Sequence, residues 1–368
     1  MKTIHIVNVT TGNGGDLLMA MAAAHKLCAR LGRRRIVLDG RMVADINGLR
    51  VTSLLLPKPL RWISRLRREN DRKRAIRSIR PGELVLDANG YRHGNIWPVR
   101  HVEDDIALAA AVRERGAHLV LLPKSYGPFD AARGSRFADL VNLTDLAWAR
   151  DEESLRMCQP VTSRLQLCPD FTIGVPAPGK PADSKERRGI LLVPNSKLVE
   201  RGFIADFDAY ARFLAECSER LATRQHACRV LFHQDKDYRR LHRRLSRLGI
   251  PWLFNKDPLA CKTELARAWL VLSSRYHGMI GAISSGTPCL VLGWAHKYGG
   301  FLDFYPGGRE LLVAQPSIDA VAERAAWINT PAVREDVIRR LAQGNRAIAA
   351  QSELMWDQIA SLETSRIA

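Results

Sequence analysis

The chain has 368 residues, 46% of them hydrophobic, which is more than one core usually organises, so two domains are expected. Its 56 Lys and Arg against 38 Asp and Glu leave a net charge of +18, drawing polyanions, anionic membrane surfaces or phosphorylated substrates without choosing among them. Seven scattered cysteines with no C-x-x-C pair argue against a disulfide framework and a zinc knuckle. Neither a signal peptide nor an apolar run of roughly 18 residues is present, so a cytoplasmic protein is expected, peripheral at most to the inner face of a membrane.

Taken in chain order, Lys2 to Val9 turns apolar as a parallel strand covered on both faces does. TTGNGGD follows as a loop, and a helix is expected over Leu17 to Leu31, closed by Gly32. Short β runs come next at Ile36 to Leu38, Leu84 to Asp87 and His118 to Leu122, with a helix at Ile106 to Arg115. Strands alternating with helices predict α/β with a parallel sheet. The stretch Ile173 to Gly189 is thick with Pro, Gly and charge and lacks periodicity, so it reads as a linker. The alternation then restarts with strands at Ile190 to Val193, Arg229 to Phe232, Trp252 to Phe254 and Trp269 to Leu272, and a helix at Ala205 to Thr223. Two doubly wound Rossmann-like domains facing a cleft are expected, one over 1–176 and the other over 188–368, with the last helix packing back on the first.

Lys58 to Arg80 stands apart, with ten Lys or Arg against Glu69 and Asp71. Trp62, Ile63, Leu66, Ile76 and Ile79 fall on one helical stripe. It reads either as a solvated helix on the first domain or as a dock for anionic lipid or a lipid-linked diphosphate.

The most informative stretch is Val271 to Gly300, strand, polar turn, small-residue helix, strand and polar turn. Arg275 and His277 are read at the end of the first strand, two apart and so on one side, with a helix from Gly278 to Ser285 directly after them. His296 and Lys297 follow the second strand. Such a βαβ unit gathers all four cations at the carboxyl ends of its strands, beside a helix N-terminus, where an anion binds. GNGGD (12–16) matches neither a P-loop nor a dinucleotide fingerprint. It is either a close backbone approach to a ligand, with Asn13 and Asp16 supplying polar atoms, or a tight turn with Asp16 capping the helix. His233, Asp235 and Asp237 have the composition of a metal site, but the acids sit where the next helix is capped, and no metal is assigned.

The series KSYGPFD, ARDEESLRM, CPDFTI, VPNSKLVERG, FHQDKDY, SSRYHGMIGAISSGTP and GWAHKYGGF resembles the polysaccharide pyruvyl transferase family, in the same order and over nearly the whole chain. The resemblance implies a fold like the two-domain GT-B glycosyltransferase type. It also implies transfer of pyruvate from phosphoenolpyruvate to two hydroxyls of a sugar, in a cell-surface polysaccharide or its lipid-linked precursor, as a cyclic ketal. The family's R-x-H pair falls on Arg275 and His277, and its glycine-aspartate turn on Gly15 and Asp16. Asn195 and His233, within two of the motifs, join Asn13, Gly15, Arg275, Gly278 and Lys297 as the implied substrate-binding set. The implied catalytic residues are His277, Arg275 and Asp16, and no cofactor is implied beyond phosphoenolpyruvate as donor. Residues Asn89 to His93 read NGYRH where many members carry a glycine run, a departure on the acceptor side. Two other functions compete: a GT-B glycosyltransferase using a nucleotide sugar, and a nucleic-acid-binding protein. The second is disfavoured, because the basic segment holds Trp62 as its one aromatic and no recognised binding motif appears.

Overall fold

Strand and helix alternate along the chain because apolar runs of four or five residues, too short for buried helices, are separated by amphipathic stretches. The computed structural model describes residues 2–9, 13–38, 41–43, 76–179 and 186–364. The basic segment from Lys58 as far as residue 75 lies outside the described residues, so its reading as a membrane dock is untouched by the structure. Two compact units emerge, one of Met1–Thr11, Gly15–Thr172 and Ala350–Ala368, the other of Gly12–Gly14 and Ile173–Ala349.

The first unit is built on an eight-stranded sheet in the order β3-β2-β1-β4-β6-β7-β8, with β5 pairing β6. These are β1 Thr3–Val7, β2 Arg35–Leu38, β3 Arg41–Val43, β4 Leu84–Asp87, β5 Tyr91–His93, β6 His118–Tyr126, β7 Leu146–Ala149 and β8 Gln166–Leu167. All pairings are parallel except β2 with β3. Among the described residues it is accompanied by the helices α1 Gly14–Leu31, α2 Arg100–Glu114, α3 Ala131–Asn142 and α4 Glu152–Cys158. Val85, Leu119, Leu121, Phe137 and Leu140 are in its core.

The second unit carries a five-stranded, fully parallel sheet in the order β11-β10-β9-β12-β13. Its strands are β9 Ile190–Val193, β10 Cys228–Phe232, β11 Trp252–Phe254, β12 Leu270–Ser273 and β13 Cys289–Val291. The helices are α5 Lys197–Glu200, α6 Phe207–Leu221, α7 Asp235–Arg247, α8 Pro258–Arg267, α9 Tyr276–Ser284, α10 Lys297–Leu302, α11 Ile318–Asn329 and α12 Pro331–Thr364. Counting from β9, the order is 3-2-1-4-5, the half-Rossmann pattern, whose switch point lies between the first and fourth strands, here β9 and β12. Helix α12 serves both cores: Val337, Leu341 and Ile348 pack in the second, while Trp356 meets Phe171 edge to face at 5.1 Å and Glu353 receives hydrogen bonds from Lys26 and Arg30 at 2.5 Å each.

Several boundaries differ from the sequence expectation. Helix α1 starts at Gly14, not Leu17, so Asp16 is not a cap; it lies in the first turn, where the helix dipole favours a carboxylate despite the low helical propensity of two glycines. The stretch read as a linker is anchored at both ends. Ile173 is in the second core, and Arg187 donates to Ser285 O at 2.7 Å and to Gly286 O.

Candidate active site

In the second unit the loops leaving β9 and β12 meet at the switch point. Strand β12 ends at Ser273, Arg275 is the N-cap of α9 and His277 is in that helix's first turn. The pair is therefore not on a strand, and the helix opens two residues earlier than Gly278. What fixes the turn is Ser273, whose Oγ accepts from Arg275 N (3.1 Å) and donates to Arg275 O (2.9 Å), closing the chain into a tight corner. Gly278 sits over that corner: a Cβ there would lie 2.6 Å from Ser273 Oγ and 3.0 Å from Val193 Cγ1. The glycine is thus demanded by packing.

A hydrogen-bonded relay holds the two loops together. Asn195 N–H donates to the Tyr210 hydroxyl at 3.0 Å, the hydroxyl lies 2.9 Å from Ser274 Oγ, and that oxygen donates to Val193 O at 3.2 Å. Asn195 Nδ2 and the Tyr298 hydroxyl both donate to Ser274 O, at 3.1 and 2.7 Å. The Asn195 side chain thus braces the loops, and its Oδ1 accepts the Lys197 amide at 3.1 Å.

Arg275 is fixed from two sides. Its Nε donates to Pro194 O at 3.2 Å, and its Nη2 donates to Asp237 Oδ2. Asp237, in the first turn of α7, accepts Ser196 N–H on its other oxygen at 2.9 Å. Burial lowers the Arg275 pKa to about 10, so the guanidinium keeps its charge at neutral pH. His233, directly after β10, is held well below its usual value, by burial first and then by the charges of Arg275 and His277. Those three basic side chains share one electrostatic neighbourhood beside the N-terminus of α9. Gln234, the next residue, donates to Asn13 Oδ1 at 2.7 Å, and Asn13 belongs to the second unit.

Lys297 opens α10, with His296 as the N-cap. Only 8% exposed, its ammonium lies 4.4 Å from the centre of the Trp294 ring, 5.4 Å from Tyr276 and 5.7 Å from Tyr298. Three aromatic faces offset the cost of burying that charge. Gly15 and Asp16 belong to the first unit, both buried in α1. The metal reading of His233, Asp235 and Asp237 fails on Asp237, which Arg275 occupies; among the described residues no group of three His, Cys, Asp or Glu is placed to hold a metal ion.

A set of residues that sequence reasoning passed over lies at the carboxyl ends of the first sheet. Lys124 Nζ is 2.7 Å from Asp87 Oδ2, both fully buried. Arg150 donates through Nε to Ser125 Oγ at 2.9 Å and through Nη1 to Asp170 Oδ2 at 3.3 Å, and Ser125 donates to Asp151 at 2.9 Å. KSYGPFD, ARDEESLRM and CPDFTI supply all of these except Asp87, so three motifs separated in sequence form one buried ionic web. The charged residues within the motifs that carry the family resemblance were the available signal.

Fold comparison gives the class first. The chain is similar to UDP-GlcNAc 2-epimerase from Neisseria meningitidis (11% identity, TM-score 0.62, covering 98% of this chain and 100% of that one). It is also similar to S. aureus MnaA (14%, 0.59, 94% and 91%) and to Anabaena HepE, determined with UDP and glucose (14%, 0.54, 99% and 100%). With two half-Rossmann sheets, this is a GT-B-like α/β protein, as expected from the sequence. No curated protein matches it in sequence. The polysaccharide pyruvyl transferase family model matches residues 14–296, and the chain belongs to that family. Among the described residues no helix is long and apolar enough to cross a membrane.

Proposed function

We propose that this protein transfers the pyruvyl group of phosphoenolpyruvate to two hydroxyls of a sugar in a cell-surface polysaccharide or its lipid-linked precursor, releasing phosphate and leaving a cyclic ketal. The observation that carries the reading is the placement of Arg275 at the N-cap and His277 in the first turn of α9, directly after β12 at the switch point of the second sheet. That is where open α/β sheets bind ligands, and it has the chemistry an anion needs.

Phosphoenolpyruvate presents a phosphate and a carboxylate on either side of its reactive carbon. Arg275 and the first turn of α9 take one anion, and Lys297 takes the other. His277 delivers a proton to the methylene carbon as the general acid. The adjacent carbon becomes electrophilic, a sugar hydroxyl adds to it, and its proton passes to a base, for which Asp16 is our candidate. Phosphate then departs with the C–O bonding pair, and the second hydroxyl closes the ring as its proton passes to the departing phosphate. Every step is proton transfer or addition–elimination, so the scheme uses no redox cofactor and no nucleotide.

Thermal melting and phosphate release decide the matter together. At about one hundred times its Kd, phosphoenolpyruvate stabilises the fold by about 2.7 kcal/mol, and adding an acceptor saccharide releases phosphate. Stabilisation by UDP with none by phosphoenolpyruvate would instead establish a nucleotide-sugar glycosyltransferase.

A further inference from the structure

We propose that Tyr91 to His101, in the first unit, forms the acceptor subsite, and that it takes a saccharide carrying a phosphate or carboxylate. The proposal rests on the pyruvyl-transfer reading for the word acceptor, but its evidence lies wholly in the first unit.

The segment follows β4, next to β1, and these two strands flank the switch point of the first sheet. Its anchor is Asp105, buried in α2, which accepts from Asn8 Nδ2 at 3.2 Å and Arg92 Nε at 2.9 Å and lies 3.0 Å from His93 Nε2. Those neighbours, His93 and then Arg92, hold its carboxyl far below the usual range against the cost of burial. Asn8 adopts a left-handed conformation, φ 63°, unusual outside glycine and a local strain maintained at the crevice. Arg92 is thereby fixed through Nε, and its Nη2 lies 4.0 Å from Asp104.

Next to Arg92 is an aromatic wall. The Tyr91 and Trp97 rings meet edge to face at 5.7 Å, and His101 tilts against Trp97 at 6.2 Å. The Tyr91 hydroxyl is tied to Gly127 O at 2.7 Å, so the wall is anchored. Among the described residues, three buried atoms of this segment lack hydrogen-bond partners: Trp97 Nε1, His101 Nδ1 and His93 Nδ1, the last on a side chain 1% exposed. Orphaned polar atoms are rare in folded proteins, and three in one segment point to a ligand. Helix α2 begins here with Val99 as an N-cap that gives no side-chain bond, and Arg100 is its first residue. Ile96 and Val99 are exposed.

Each element recognises a different part of an anionic sugar. The apolar C–H face of a pyranose stacks on Trp97, hydroxyls meet Trp97 Nε1 and the His101 ring nitrogen, and the anion meets the Arg92 fork and Arg100. A neutral sugar leaves the cations unexplained, and inorganic phosphate leaves the aromatic wall unexplained.

The test is saturation-transfer NMR and calorimetry on the full chain with N-acetylglucosamine 1-phosphate, glucuronic acid, N-acetylglucosamine and inorganic phosphate. The sugar phosphate or the uronic acid, whichever anion the site prefers, is expected to bind about 10–100-fold more tightly than the neutral sugar, the worth of one charge-assisted hydrogen bond. Arg92→Ala should erase that preference. Trp97→Ala should weaken all three sugars and leave phosphate unchanged, and Trp97→Phe should restore part of the loss in a protein that melts like wild type. Equal binding of phosphate and sugar phosphate, unaltered sugar binding in both variants, or no sugar binding to the wild type would each overturn the proposal. Thermal stabilisation by phosphoenolpyruvate reports separately on the donor reading: its absence beside intact sugar-phosphate binding sinks that reading alone.

Discussion

Arg275 and Asp237 form a buried ion pair linking the N-cap of α9 to the first turn of α7. The same carboxylate holds the Ser196 amide, so a single acid aligns three segments around the proposed donor site. Asp237→Asn keeps an oxygen for Ser196 and removes the charge. Breaking a buried pair from one side typically costs about 3–5 kcal/mol, because the remaining charge is uncompensated. The variant should melt at lower temperature, and phosphoenolpyruvate should raise its melting point by more than it raises that of the wild type, since the ligand then supplies the missing anion. An equal or smaller rise would place the ligand away from Arg275.

His277 and Arg275 separate by role. His277→Ala should lower turnover by about two to three powers of ten, as loss of a general acid does, while stabilisation by phosphoenolpyruvate persists. Arg275→Ala should abolish that stabilisation as well. Wild-type phosphate release by purified His277→Ala protein removes it from the mechanism.

The His233 environment fixes a pH dependence. The unfolded chain takes up this proton near pH 6.5, whereas the folded site, buried and beside Arg275 and His277, resists it until lower pH. Protons therefore bind preferentially to the unfolded state as pH falls through 6.5, and stability drops in that window. Carboxylates such as Glu200, lowered to about 2 by Lys236 and Lys197 against the cost of burial, lose their contribution only below about pH 4.5. Melting curves of His233→Gln should be flatter than wild type as pH falls below about 6.5. A wild-type slope in the variant would assign the loss to other groups.

Some of this was legible and some was not, for identifiable reasons. The strands were, because short apolar runs between amphipathic stretches have few alternatives, and so was the convergence of Arg275 and His277 on a helix start. The start itself was misplaced at Gly278 because Arg275 and His277 were read as the end of the strand. Only the fold shows that Ser273 Oγ closes the corner earlier and that Val193, 85 positions upstream, leaves no room for a Cβ at 278. The Arg275–Asp237 pair spans 38 positions, and no local pattern reports a contact of that range. The same holds for Asp87, whose partner Lys124 lies on another strand.

Gly278→Ala tests the packing account directly. The new methyl meets Ser273 Oγ and Val193 Cγ1 within 3.0 Å, and such overpacking generally costs about 1–3 kcal/mol. Because Ser273 shapes the corner presenting Arg275, weaker binding of phosphoenolpyruvate should accompany the lower melting temperature. Unchanged stability would mean that the corner relaxes freely and that the glycine serves another purpose.

The buried pair Lys124–Asp87 makes the last prediction, on the first unit. Neither side chain reaches water, so Lys124→Met leaves a carboxylate without its cation and Asp87→Asn leaves an ammonium without its anion. Each change alone should cost about 3–5 kcal/mol. The double variant removes both charges, keeps the Asn89 amide bonded through the side-chain oxygen that now accepts it at 3.1 Å, and should recover most of the loss. A double-mutant cycle by denaturant unfolding measures the coupling, which on this account exceeds the cost of either single change. Strict additivity would show that the two charges are compensated separately, with the web around Arg150 and Asp170 carrying one of them. Strong coupling with full recovery of stability, but with acceptor turnover still depressed, would show that the pair is kept for positioning the loops after β4 and β6 and not for holding the fold.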